Sequence, residues 1–409
     1  MNDTAVDGFR VGLGLLRTAR SEVRTLSGAF EQVALGAKPS PSAYTRMMLL
    51  VRSALAGVCA ALCLLLAATS SAEAATKGFW GPAEVNGVSQ FPIYRNLGVT
   101  LYQKGLGWAS IAPTRPANPT DPNDPAYRWP ATMDSVIREA RQNNMRVLLL
   151  INTSPGWANG GKGPEWAPSP TAYAQFATAA ARRYPAVRQW MIWGEPSRAA
   201  NFQPLVRQTI GRPLTPRQAA APKRYARILD AAYGALKRVR RSNVVIGGNT
   251  FTAGDIRPVK WVQHMRLPNG RRPRLDVYGH NPFTLRTPNL KNPPGAGETV
   301  DFSDLGRFQK VINRAFGRRS GKVRRVPLFL SEFSVPTALD SEFNFFTTRA
   351  KQAQFITKGF RIARQLKVYG FGWIHLYDEG PDDNGIRGGL IDINGKRKPG
   401  FAAFRAGRL

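Results

Sequence analysis

The chain has 409 residues, 43% of them hydrophobic, with 9 Trp, 21 Phe and 11 Tyr. That length allows one large barrel or two ordinary domains, each with an ample core. The formal charge is +32, which allows acidic partners such as nucleic acid, an anionic polysaccharide or an anionic envelope, or else a basic surface with no dedicated partner. Cys59 and Cys63 are the only cysteines, so disulfides do not hold the later chain together and cysteine supplies it neither nucleophile nor metal ligand.

Residues 1–46 read as an N-terminal extension, disordered or the product of a mis-assigned start. Arg46 and Arg52 then flank Met47-Met48-Leu49-Leu50-Val51, and Ala54–Ala68 is nearly all apolar. With the small residues Ala72 and Ala74 behind it, residues 47–75 read as a secretory signal peptide. A single-pass anchor is the alternative, although an apolar core of about 15 residues is short for a membrane span. Residues 1–75 hold 7 Lys+Arg and 5 Asp+Glu, which leaves the remainder at +30. A secreted, extracellular or cell-surface protein is expected, membrane-bound only if the apolar segment is retained.

From residue 76 short apolar runs alternate with amphipathic segments. Strands are expected at Gly78–Trp80, Val99–Gln103, Arg146–Asn152, Gln189–Gly194, Val244–Gly248, Leu275–His280, Val326–Glu332 and Tyr369–His375. Helices fall between them, near Gln90–Leu97, Ala131–Asn143, Thr171–Tyr184, Pro222–Arg240, Arg257–Met265, Ser303–Phe316 and Thr347–Leu366, with a last short one at Pro399–Phe404. Continuous Val/Leu/Ile runs suit strands buried on both faces. Eight such units over residues 76–409 predict an α/β fold, a (β/α)8 TIM barrel. An open doubly wound sheet is the alternative. Its Gly-rich phosphate turn is poorly matched by Gly105-Leu106-Gly107, which lacks the third glycine.

Two carboxylates stand at the ends of buried runs. Glu195 closes Gln189–Gly194, and Glu332 closes Val326–Ser331. Burying a carboxylate there costs desolvation energy. Two of them at the C-terminal ends of separate strands point to acid–base chemistry on a glycosidic bond, where one group protonates the leaving oxygen and the other attacks the anomeric carbon or activates water. Across a barrel mouth they could approach to about 5 Å, the retaining spacing.

Trp193-Gly194-Glu195-Pro196 resembles the acid/base motif of the clan A retaining glycoside hydrolases, and Leu330-Ser331-Glu332-Phe333 resembles their nucleophile strand. Gly372-Trp373 resembles their last-strand tryptophan. Gly389-Leu390-Ile391-Asp392 with Lys398-Pro399 resembles the closing segment of such barrels, as in families 5 and 39. The resemblance spans residues 76–409. It implies a glycosidase with Glu195 as acid/base and Glu332 as nucleophile, and Trp108, Trp157, His280 and Trp373 as substrate contacts. It also implies a carbohydrate substrate, anionic or envelope-associated polysaccharides among the candidates, with no cofactor, no metal, no specific nucleic acid, and a monomer. Gly194 departs from the pattern where the clan carries Asn, whose amide usually bonds the sugar 2-hydroxyl. Gln103 stands near where many members carry Arg. A barrel that binds glycans, or an anionic envelope, with little catalysis therefore stays open. Asp378, Glu379, Asp382 and Asp383 read as a solvated acidic loop rather than a calcium loop.

Overall fold

The computed structural model describes residues 75–409, apart from 285, 341, 342, 344 and 381–384. The expected extension and signal segment, and Cys59, Cys63, Asp382 and Asp383, lie outside the described residues. Eight strands form the barrel: β1 (Thr76–Trp80), β2 (Leu101–Gly107), β3 (Arg146–Asn152), β4 (Gln189–Ile192), β5 (Val244–Phe251), β6 (Val277–Asn281), β7 (Leu328–Leu330) and β8 (Gly370–Ile374). Every neighbouring pair is parallel, and β1 pairs with both β2 and β8. The sheet therefore closes, which excludes the open doubly wound alternative.

A main helix follows each strand: α1 (Phe91–Asn96), α2 (Met133–Gln142), α3 (Pro170–Arg183), α4 (Ala220–Val239), α5 (Pro258–His264), α6 (Leu305–Phe316), α7 (Arg349–Gln365) and α8 (Pro399–Ala406), with single helical turns added at Trp108–Ile111 and Gly156–Asn159. Local chemistry starts several of them. The Ser169 and Thr348 side chains accept from backbone amides in the first turns of α3 and α7. Proline opens α3, α5 and α8, where its missing N–H is not needed.

Alternation along the strands splits the apolar residues into two cores. Leu101, Leu148, Leu150, Met191, Ile246 and Phe329 fill the barrel with Val277, while a larger aromatic-rich cluster lies between sheet and helices. Where the barrel is tightest only glycine fits: a Cβ on Gly372 would lie 2.2 Å from the Ser331 carbonyl oxygen. At the opposite end Lys77 ties the helical ring together. Its Nζ donates to Leu97 O at 2.7 Å and Phe404 O at 2.6 Å, joining the ends of α1 and α8. Burial, aided by Arg408, lowers its pKa to about 7.

The strand ends differ from expectation in an informative way. β4 stops at Ile192 and β7 at Leu330, so Glu195 and Glu332 stand beyond the ladder. Trp193 and Glu195 adopt φ of +65° and +43°, a left-handed backbone that cannot continue a strand and that stores strain.

Candidate active site

Glu195 and Glu332 meet at one cavity of about 600 Å³ at the C-terminal mouth of the barrel. Glu195 is 6% exposed. Its Oε2 accepts from Arg198 Nη1 at 2.8 Å and its Oε1 from Asn281 Nδ2 at 2.8 Å. Arg198 lies one turn beyond Glu195, 37% exposed, with its guanidinium 4.7 Å from the centre of the Phe251 ring. Glu332 is half-buried.

A buried polar relay links the two carboxylates' elements. Ser331, immediately before Glu332, has its Oγ 2.6 Å from Asn281 Oδ1 and 2.8 Å from Asn249 Oδ1. One hydroxyl proton cannot serve both oxygens. Turning the Asn249 amide about resolves the conflict, because its buried Nδ2, otherwise without a partner, then donates to Ser331 Oγ. Donors then run in one sense: Asn249 to Ser331, Ser331 to Asn281, Asn281 to Glu195. Gln103 donates Nε2 to the Ser331 carbonyl at 2.8 Å. It thus holds the backbone just before Glu332 by hydrogen bonding, without a charge.

A second polar cluster forms part of the wall. Arg286 donates to Asp301 at 2.7 and 2.8 Å and to Asp304 at 2.8 Å, and Thr284 donates to Asp301 at 3.0 Å. Burial opposes ionisation of Asp301, but Arg286, the Ser303 amide and Thr284 outweigh it and hold the carboxyl below its ordinary value. Phe251, Phe283, Phe343, Phe345 and Ile374 give the cavity its apolar surface.

The residues that resemblance named as substrate contacts are placed differently. Trp108 is 0% exposed and stacks on Phe176, centroids 5.2 Å apart. Trp373 is 0% exposed, edge-on to Phe333. His280 is also 0% exposed, its Nδ1 2.9 Å from Thr250 Oγ1 and its Nε2 2.9 Å from Val300 O, and burial lowers its pKa to about 4. All three are core residues and none lines the cavity. The reason is strand parity. His280 and Trp373 face outward to the helices, while their successors Asn281 and Ile374 face the mouth. Trp157 is half-buried, edge-on to Trp108, and donates Nε1 to Ala112 O at 2.8 Å.

Sequence reading overlooked Arg198, Asn281, Arg286, Asp301 and the phenylalanines. Asn281 had a usable signal, the alternation that follows from His280. Arg286 and Asp301 come from one long loop without a local motif. Asp378, read as part of a solvated loop, is instead buried and ion-paired with Lys398 at 2.6 Å, and burial raises its pKa despite that partner. Among the described residues no group of three His, Cys, Asp or Glu is placed to hold a metal ion.

No protein-family model matches the sequence, and a search of curated proteins finds no match. Solved structures do match. A family 39 glycoside hydrolase from Bacteroides cellulosilyticus WH2 aligns over 82% of this chain and 64% of its own, with TM-score 0.58 and 16% identity. A glucosidase from Croceicoccus marinus aligns over 81% and 66%, with TM-score 0.56 and 16% identity. A monomeric β-xylosidase from Caulobacter crescentus CB15 aligns over 77% and 62%, with TM-score 0.52 and 16% identity. The chain thus shares their barrel fold while spanning less than two thirds of the length of each.

Proposed function

We propose that the protein is a glycoside hydrolase that cleaves O-glycosidic bonds by a retaining two-carboxylate mechanism. The observation that carries this reading is the convergence of Glu195, beyond β4, and Glu332, beyond β7, on one cavity at the barrel mouth. Glu332 attacks the anomeric carbon while Glu195 gives its proton to the leaving oxygen. Glu195 then takes a proton from the water that releases the glycosyl group. Asn281 holds one Glu195 oxygen throughout. Arg198 holds the other in the free site, and its exposed side chain has solvent to move into once Glu195 is protonated. The phenylalanine wall offers apolar faces to sugar C–H groups. A carbohydrate substrate and a monomer are expected, with β-xylosides and β-glucosides the first classes to try. The same reading has the protein exported after cleavage following Ala74, which mass spectrometry of the mature N-terminus tests.

The decisive experiment is a panel of aryl glycosides with wild type and Glu332→Gln, with the first-formed anomer followed by NMR. The expected result is retention of configuration and a loss of at least about 1,000-fold in turnover, while sugar binding persists. Full activity in Glu332→Gln overturns the reading. Gly194 favours a second reading, a glycan-binding barrel with weak catalysis. Saturable binding across the panel without wild-type turnover supports it.

A further inference from the structure

The positive charge is not spread evenly over the barrel. Two faces can be compared by counting from the last helical turn to the next strand, and from each strand end to the next helix's first turn. The eight helix-to-strand connections, with the stretch after α8 counted among them, hold 23 Lys+Arg and 2 Asp+Glu, net +21. The eight strand-to-helix connections around the mouth hold 19 and 18, net +1. The face opposite the cavity therefore carries most of the +30 of residues 76–409.

Helix dipoles do not account for this. A cation in the last turn of a helix is favourable, but the effect falls off within that turn. Here 14 of the 23 basic residues lie beyond the helices' last residues. Carboxylates neutralise Arg183, Lys237 and Arg274. Arg240, Arg241, Arg271, Lys322 and Arg324 are exposed and enter no ion pair among the described residues. A short hairpin, Arg318–Arg319 with Lys322–Val323, extends this face and leaves Val323 51% exposed.

We propose that this face docks the protein on an anionic phospholipid surface, with the cavity mouth turned away from it. Two observations favour a membrane over a linear polyanion. The charge comes from all eight connections around the barrel rather than from one stripe. An apolar side chain projects among the cations, as headgroup insertion uses. The arrangement leaves the cavity free for glycans on the outer side. It stands independently of the glycosidase reading, because docking is measured without turnover.

The test uses the full chain and vesicles of phosphatidylcholine alone or with about 30% phosphatidylglycerol. One variant changes Arg240, Arg241, Arg271, Lys322 and Arg324 to Gln. A charge-matched control changes the mouth-side residues Arg115, Arg212, Arg217, Lys291 and Lys351 to Gln. The expected result is salt-sensitive binding that requires the anionic lipid, weakened at least about 30-fold in the first variant and less than about 3-fold in the control. Equal weakening in both variants overturns the proposal, because net charge alone would then suffice. Equal binding to both vesicle types, or tighter binding to duplex DNA than to anionic vesicles at the same salt, also overturns it.

Discussion

Asn281 is the single residue on which the site's polar order turns. It donates to Glu195 and accepts from Ser331, so Asn281→Ala removes one partner from each of two buried groups. A loss of about 1–3 kcal/mol in stability is expected, together with a fall on the order of 100-fold in kcat/KM as Glu195 loses its alignment. Chemical melts and aryl-glycoside kinetics on the same preparation measure the two separately, and unchanged kcat/KM would remove Asn281 from the positioning network. His280, by contrast, reports on the fold. Its pKa of about 4 lies below the ordinary 6.5 because burial disfavours the charged ring. The unfolded chain therefore binds its proton first. The stabilisation is complete above pH 6.5 and is lost as pH falls towards 4, by about 3 kcal/mol in total. Urea midpoints measured from pH 7 to pH 4 are expected to fall accordingly, and less steeply in His280→Gln. Part of the slope persists because His375 is lowered to about 4 by the same cause.

Among the elements, β5 shows how a local irregularity serves the site. Its register with β6 shifts between Gly247 and Thr250. Within the shift Gly248 has φ +91° and Asn249 φ +39°. This bulge sets Asn249 against Ser331. A Cβ at Gly248 would lie 2.5 Å from the Tyr278 ring, in a backbone region that side chains rarely adopt. Gly248→Ala is expected to cost about 2–4 kcal/mol. Gly105→Ala is the control, since its Cβ meets nothing within 4 Å and should be near neutral. Equal urea midpoints for the two variants would mean that the bulge relaxes freely. The strand itself was legible as an apolar run, but its expected end at Gly248 fell short of Phe251. The bulge interrupts the pattern that marks a strand, and the closing contact with Tyr278 comes from another strand.

For the whole molecule the dominant global force besides burial is self-repulsion. A net +21 on one face of the barrel opposes compaction and is screened by salt. Raising NaCl from about 50 to about 500 mM is expected to raise Tm by ~2–5 °C, and by less when the five exposed cations of that face are changed to Gln. A fall in Tm followed by calorimetry would mean that ion pairs such as those of Arg286 and Arg274 outweigh the repulsion.

The eight strand–helix units, their order and the two glutamates were all readable in the linear chain, because buried parallel strands are continuous apolar runs. The tertiary structure decided parity and convergence. A shift of one residue along a strand turns a side chain from the mouth to the helical shell, which is why His280 and Trp373 joined the core while Asn281 and Ile374 came to the site. Arg198 pairs with Glu195 three residues before it, at a point where the backbone turns left-handed. Asn249 and Asn281 lie on β5 and β6 and Ser331 directly follows β7, so they meet only when the barrel closes, a long-range event to which the local pattern of residues is blind.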